Sequence, residues 1–145
     1  MKKTITLFIM VLLTTGAVFA QSGKTQMLSK KWVINKQAMK PIITKLLLAS
    51  PQMADFTKEM QEITIKNAVD KIGNLKMDIR PTGSIMVQND TGKDLGTWKF
   101  NSDQTKLYTS SSDGKTNEQF IIETLSTEKL ILVGDGNVKL IFRRL

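Results

Sequence analysis

From Leu75 to Phe142, apolar and polar residues alternate in short runs broken by turn residues, the period-two pattern of half-buried strands. Leu75, Met77 and Ile79 alternate with Lys76, Asp78 and Arg80, and the turn Pro81-Thr82-Gly83 follows. Ser84 to Gln88 carries Ile85-Met86-Val87, and a polar loop, Asn89 to Asp94, leads into Leu95 to Phe100 with Trp98 and Phe100 on one face. Strands are predicted over Lys106 to Ser110, Phe120 to Leu125 and Leu130 to Val133. Asp135-Gly136 signals a tight hairpin into a last strand, Val138 to Arg143. An eighth strand lies upstream, over Leu28 to Lys36, with Leu28, Trp32 and Ile34 on one parity.

Between the first and second strands the period changes to that of helices. Pro41 suits a first helical turn, and Ile42, Ile43, Leu46 and Leu47 form one stripe. Ser50-Pro51 restarts the pattern, with Met53, Phe56, Met60 and Ile63 on one face, and Gly73-Asn74 ends it. The expected fold is mainly β: an eight-stranded antiparallel up-and-down barrel with a helical insertion over about 41–72. Eight strands are enough to close a barrel and abolish exposed edges.

The first twenty residues read as a signal peptide. Lys2 and Lys3 precede the apolar run Leu7 to Leu13, and Val18-Phe19-Ala20 offers the small residues a signal peptidase reads. The run is shorter than the roughly 20 residues a spanning helix needs. Cleavage near Ala20 is expected to leave a tail, residues 21–26, and one domain, residues 27–145, in the periplasm or outside the cell. The chain has no cysteine, so neither a disulfide nor a lipid-anchored cysteine is expected.

Charge is unevenly distributed. The full chain is formally +8. Six lysines and no acid lie between Gln21 and Ala54, whereas basic and acidic residues balance from Asp55 onward. A solvated lysine-rich flank is favoured over a recognition face, and contact with an anionic membrane surface stays open. With no arginine and a single aromatic there, no nucleic-acid partner is expected.

No histidine and no cysteine are present, which removes the common triads and zinc sites. No catalytic residue, metal or cofactor is expected. The nearest carboxylate pairs, Asp90 with Asp94 and Glu118 with Glu123, read as solvated surface groups. A calcium site at Asn89-Asp90-Asp94 would need more oxygen ligands.

The chain resembles the bacterial lipocalin-like domain proteins of the calycin group over about Met27 to Leu145. The resemblance rests on Leu28-Ser29-Lys30-Lys31-Trp32, on Asp78 to Gly83 followed by Gly96-Thr97-Trp98, and on Phe120 to Leu132. Lipocalins carry Gly-x-Trp on their first strand, the tryptophan packed under a basic residue from the barrel's end. Trp32 fits that tryptophan and Arg144 its partner, while Lys30 replaces the glycine. The helix pair is also similar to the one over the barrel mouth of fatty-acid-binding proteins. The strand meander, a helix pair apolar on one side and the absence of the usual catalytic side chains point to a non-enzymatic protein holding a small apolar or amphipathic ligand, with Met53, Phe56, Met60, Met77, Ile79, Trp98 and Phe100 as candidate cavity residues. Trp98 reads equally as core. The helix pair is expected to cap the barrel or to act as a lid, and basic residues at the mouth to attract an anionic head. The alternative use is a secreted interaction or inhibitor module, with a protein partner on the barrel exterior or on loops such as Asn89 to Asp94.

Overall fold

The computed structural model describes residues 23–145, so the expected signal peptide lies outside the described residues. The chain forms β1 (Lys31–Ile34), α1 (Lys36–Leu48), a 3-10 turn (Pro51–Asp55), α2 (Lys58–Ile72), β2 (Lys76–Ile79) and β3 (Ser84–Asn89). There follow β4 (Gly92–Phe100), β5 (Lys106–Ser111), β6 (Asn117–Leu125), β7 (Lys129–Val133) and β8 (Lys139–Arg144). Each strand pairs antiparallel with the next, and β1 pairs with both β2 and β8, so the sheet closes into a barrel. The expected meander, with helices inserted between the first two strands, is the architecture of the protein.

Register fixes which side chains face inward. Trp32 lies opposite Met77 on one side and Arg144 on the other, and Ile34 lies opposite Phe142. The same parity carries Ile79, Ile85, Leu107, Leu130 and Leu132 around the ring. Trp32, Ile34, Ile79, Leu107, Leu130, Leu132 and Phe142 are at most 2% exposed, so this part of the barrel is solid. Burying each such side chain contributes roughly 1.5–3 kcal/mol. At the end where β1 starts, residues 23–28 form a helical turn rather than the expected loose tail. Leu28 is fully buried there, and its carbonyl accepts the Trp32 indole N–H at 2.8 Å. The turn therefore plugs one end, and β1 is four residues long, shorter than the stretch from Leu28 to Lys36.

The helices begin and break differently from the sequence expectation. Asn35 caps α1, its side chain accepting the Ala38 N–H at 3.1 Å. The cap moves the helix start to Lys36 and leaves Pro41 inside the helix instead of in its first turn. Pro51 starts a 3-10 turn, and α2 begins only after Thr57, whose hydroxyl accepts the Met60 N–H. Met39, Ile43 and Val69 join the barrel's buried cluster, so the apolar stripes anchor both helices. The Lys36–Asp70 ion pair and an Asn74–Asp90 hydrogen bond of 2.7 Å tie the helical pair to itself and to the β3–β4 turn.

Two connections also differ. The expected loop Asn89 to Asp94 is a tight hairpin: Asn89 pairs with Gly92, and β4 starts there. Asn89 Oδ1 accepts the N–H and hydroxyl of Thr91 and the N–H of Gly92, folding the turn by itself. That oxygen is consumed, and the connection is a two-residue turn. Conversely, Asp135-Gly136 lies in a wider connection, residues 134–138, and β8 starts at Lys139 rather than Val138. Gly136 and Asn137 both adopt positive φ, 68° and 58°, conformations that glycine and asparagine tolerate best.

Gly96 has a role set by space. A Cβ built there would overlap the Ser110 carbonyl oxygen of the neighbouring strand. Gly96→Ala is therefore expected to force β4 and β5 apart and lower the unfolding free energy by about 1–3 kcal/mol, read from urea denaturation. An unchanged midpoint would contradict this close approach. At the far end, the Thr105 hydroxyl, then the Thr105 N–H and Asn101, hold the Asp103 carboxyl below its ordinary value of 3.8. Because the folded value is depressed, this turn's stabilisation is present above about pH 4 and is lost as pH falls through the folded value. In an NMR titration Asp103 is expected to have its midpoint below 3.8, and Thr105→Ala to raise it. An Asp103 midpoint unmoved by that substitution would contradict the assigned cause.

Candidate functional site

Toward the end where β1 finishes, the same inward parity carries different residues. Ile85 lies opposite Gly96, Val87 opposite Asp94, Gly96 opposite Ser111, and Thr109 opposite Glu118. These are mostly small or polar side chains, and they cannot meet across the barrel as Trp32, Phe142 and the leucines do. They line an open cavity of about 570 Å³, completed by Lys93, Leu95, Ser110, Ser112, Asp113 and Thr116. Gly96 leaves its stretch of wall bare. The floor is apolar, with Ile85 buried and Val87 half-buried, whereas Asp94 and Glu118 at the mouth are exposed. The barrel is thus packed in one half and hollow in the other.

The rim is held in shape by its own hydrogen bonds. In the β5–β6 connection, Asp113 accepts from the Ser111 hydroxyl and the Lys115 N–H. Those two bonds, the hydroxyl first, hold the Asp113 carboxyl below the usual aspartate value. The Ser110 hydroxyl donates to Asn117 at 2.7 Å. Chemically the mouth offers hydroxyl and carboxylate acceptors above an aliphatic floor. Among the described residues no group of three or more His, Cys, Asp or Glu is arranged to hold a metal ion.

The residues singled out from sequence fall into two groups, and none lines this cavity. Met77, Ile79 and Trp98 belong to the buried cluster inside the barrel, and Phe100, partly buried, packs against it. Trp98 donates its indole N–H to the Arg80 carbonyl at 2.8 Å and meets Phe100 edge-to-face at 5.2 Å, a core arrangement. Met53, Phe56 and Met60 sit around the connection between the helices: Met53 is buried, Phe56 half-buried, and Met60 is 49% exposed. Trp32 and Arg144 are register neighbours at the closing seam, and the Arg144 guanidinium reaches Glu128 at 3.4 Å.

The carboxylates regroup as well. Asp90 is bound by Asn74, and Glu123 pairs with Lys139 at 2.8 Å beside a register shift in β6. Asp94 and Glu118, each assigned from sequence to a different pair, instead face one cavity. The signal was present in the alternation, since Asp94 shares parity with Trp98, and Glu118 with Phe120 and Ile122. The mouth is also not the basic one expected, because Lys93 is its single lysine.

The helices do not line the cavity, which opens beside them. Between α1 and α2 lies a separate groove of about 650 Å³, edged by Lys36, Lys40 and Lys66 and floored by Ile65 and Val69. The hydrogen bond from Lys36, with Lys36 and Lys66 as nearby charges, lowers the Asp70 pKa there. No helix among the described residues is long and apolar enough to cross a membrane.

No family model matches the chain, and no curated protein matches it. Among solved structures, the fold is similar to a DUF4847 family protein from Bacteroides vulgatus, at a TM-score of 0.53 and 13% identity over 79% of this chain and 92% of that one. It is similar to a protein from Bacteroides uniformis at a TM-score of 0.50 and 13% identity, covering 83% of this chain and 90% of that one. A lipocalin-like protein from Bacteroides uniformis aligns at a TM-score of 0.42 and 16% identity, covering 51% of this chain and 81% of that one. At these identities the first two likenesses concern fold alone; the closed eight-stranded up-and-down meander is itself the architecture of a lipocalin-like barrel.

Proposed function

We propose that this is an exported, non-enzymatic binding protein that holds a small amphipathic ligand in the hollow half of its barrel. The observation that carries the reading is the division of the barrel interior. One half is filled by Trp32, Phe142 and leucines, while the other keeps a cavity of about 570 Å³. That size is within the roughly 300–1,000 Å³ of small-molecule sites. The ligand's apolar part would lie on Ile85 and Val87, and its polar part among Thr109, Ser111, Asp94 and Glu118. Export rests on the basic, apolar and small-residue order of the first twenty residues. The rigid half supplies a fixed wall, so ligand binding need not order the barrel and loses less entropy.

Native mass spectrometry of the protein purified from its own host tests the reading. The wild type is expected to carry a small-molecule adduct. Val87→Trp, which fills the floor, and Ser111→Leu, which blocks the rim, are expected to lose it while keeping a cooperative thermal transition. A wild type of bare mass, or variants retaining the same adduct, would overturn the proposal.

A further inference from the structure

We infer that the outside of the barrel binds a linear acidic polysaccharide along a row of cations, Lys129, Arg143, Lys76 and Lys93, aligned across β7, β8, β2 and β4. The row meets the cavity only at Lys93, and the inference does not depend on what the cavity holds.

The first support is register. Lys129 lies opposite Arg143, Arg143 opposite Val33, and Val33 opposite Lys76. Lys76 in turn lies opposite Gln88, and Gln88 opposite Lys93. Residues paired in this way share one face of the sheet. Their chain neighbours Trp32, Met77, Leu130 and Phe142 point inward, so the whole row points outward. It crosses six consecutive strands of the closed barrel and, at about 4.8 Å per strand, runs roughly 24 Å. Its four cations are all exposed, and no acid stands in it.

The second support is where folding puts the acids. From Asp55 onward the chain has as many acidic as basic residues. Among the described residues the strands carry only four acids. Asp94 and Glu118 take the inward parity. Asp78 is paired with Arg80 at 3.5 Å, and Glu123 with Lys139 at 2.8 Å. The other acids of the barrel, Asp90, Asp103, Asp113, Glu128 and Asp135, lie in the connections between strands. Glu128, next to Lys129 in the chain, is engaged by Arg144 at 3.4 Å. None of the four row cations makes an ion pair among the described residues. Alternation and turn placement thus sort balanced charges, and a positive potential is left along this wall.

The shape of the row selects among anionic partners. It curves around six of eight strands, so a flat membrane surface meets only part of it. An acidic peptide adding itself as a strand needs a free sheet edge, and the closed barrel has none. Single-stranded nucleic acid gains much of its affinity by stacking bases on aromatic rings, and the row has no aromatic residue. A linear acidic polysaccharide can follow the curve. Its carboxylates meet the four cations, and its hydroxyls meet the Gln88 amide, which both donates and accepts.

The test titrates four probes calorimetrically: polygalacturonate, neutral dextran, a single-stranded oligonucleotide and phosphatidylglycerol vesicles. Polygalacturonate is expected to bind tightest and dextran not at all. Its binding is expected to weaken at least about tenfold between about 50 and 200 mM salt. Amide shifts in the wild type are expected at Lys76, Gln88, Lys93, Lys129 and Arg143. Lys76→Gln/Lys93→Gln/Lys129→Gln/Arg143→Gln is expected to bind at least about tenfold more weakly while keeping a cooperative thermal transition. Lys40→Gln/Lys45→Gln/Lys58→Gln/Lys66→Gln removes as much charge from the helices and is expected to change affinity by less than about threefold. Equal losses in the two variants would show that net charge alone attracts the polymer, and would overturn the row. Tighter binding of the oligonucleotide or the vesicles, binding of dextran as tight as polygalacturonate, or shifts confined to other surfaces would overturn it as well.

Discussion

The structure depends on how the sheet closes on itself. β1 has four residues, yet it must pair with β2 on one side and β8 on the other. So short a strand supplies few ladder hydrogen bonds, and Trp32 compensates from the inside. Its ring is fully buried against the interior, and its N–H is satisfied by Leu28 at 2.8 Å. Because the acceptor is the carbonyl of the plugging turn, one hydrogen bond fastens the plug and the seam together. A barrel without that seam would expose two strand edges and lose the enclosure that gives its interior meaning.

Closure at one end leaves the other end free to differ. The same inward parity runs the length of the strands, but the side chains on it change in size and polarity. Trp32, Phe142, Leu107 and Leu130 fill the plugged end, each at most 1% exposed. Val87, Gly96, Thr109 and Ser111 are too small to fill the open half, and Asp94 and Glu118 stay with water at the mouth. Stability and cavity are thus assigned to different sides of one barrel, the cavity lying among β3 to β6. The helical pair stands at the same end as the cavity, anchored by Met39, Ile43 and Val69, and leaves the mouth among β3 to β6 uncovered.

Much of this was legible in the residues, and for stated reasons. Period-two alternation survives in strands such as β2 and β3, which have one buried and one more exposed face, while β1 and β7, buried at three successive residues, were marked by short apolar runs between turns. From the residues alone Trp32 was readable as core, and its place at the seam came from the resemblance of Lys30-Lys31-Trp32 to the lipocalin Gly-x-Trp. The helix start was missed because Asn35 caps without a Glu or Gln three residues on, and Pro41 offered a stronger but false signal. The β3–β4 turn was read as a loop because its shape comes from the Asn89 side chain rather than from a glycine pair. The candidate site was harder. Large apolar residues attracted attention, but those are the ones that fill the interior. A cavity is marked by the opposite, small and charged residues on an inward parity, and the alternation of Asp94-Gly96-Trp98 held that information.

The central claim, a barrel packed through most of its interior and hollow on its β3–β6 side, is tested most directly by where water reaches. Water-to-methyl nuclear Overhauser effects in the ligand-free protein report this residue by residue. The account expects contacts from water to the methyls of Ile85 and Val87, and none to those of Leu107, Leu130 and Leu132. Dry methyls at Ile85 and Val87, or wet ones throughout the leucine-filled half, would contradict it.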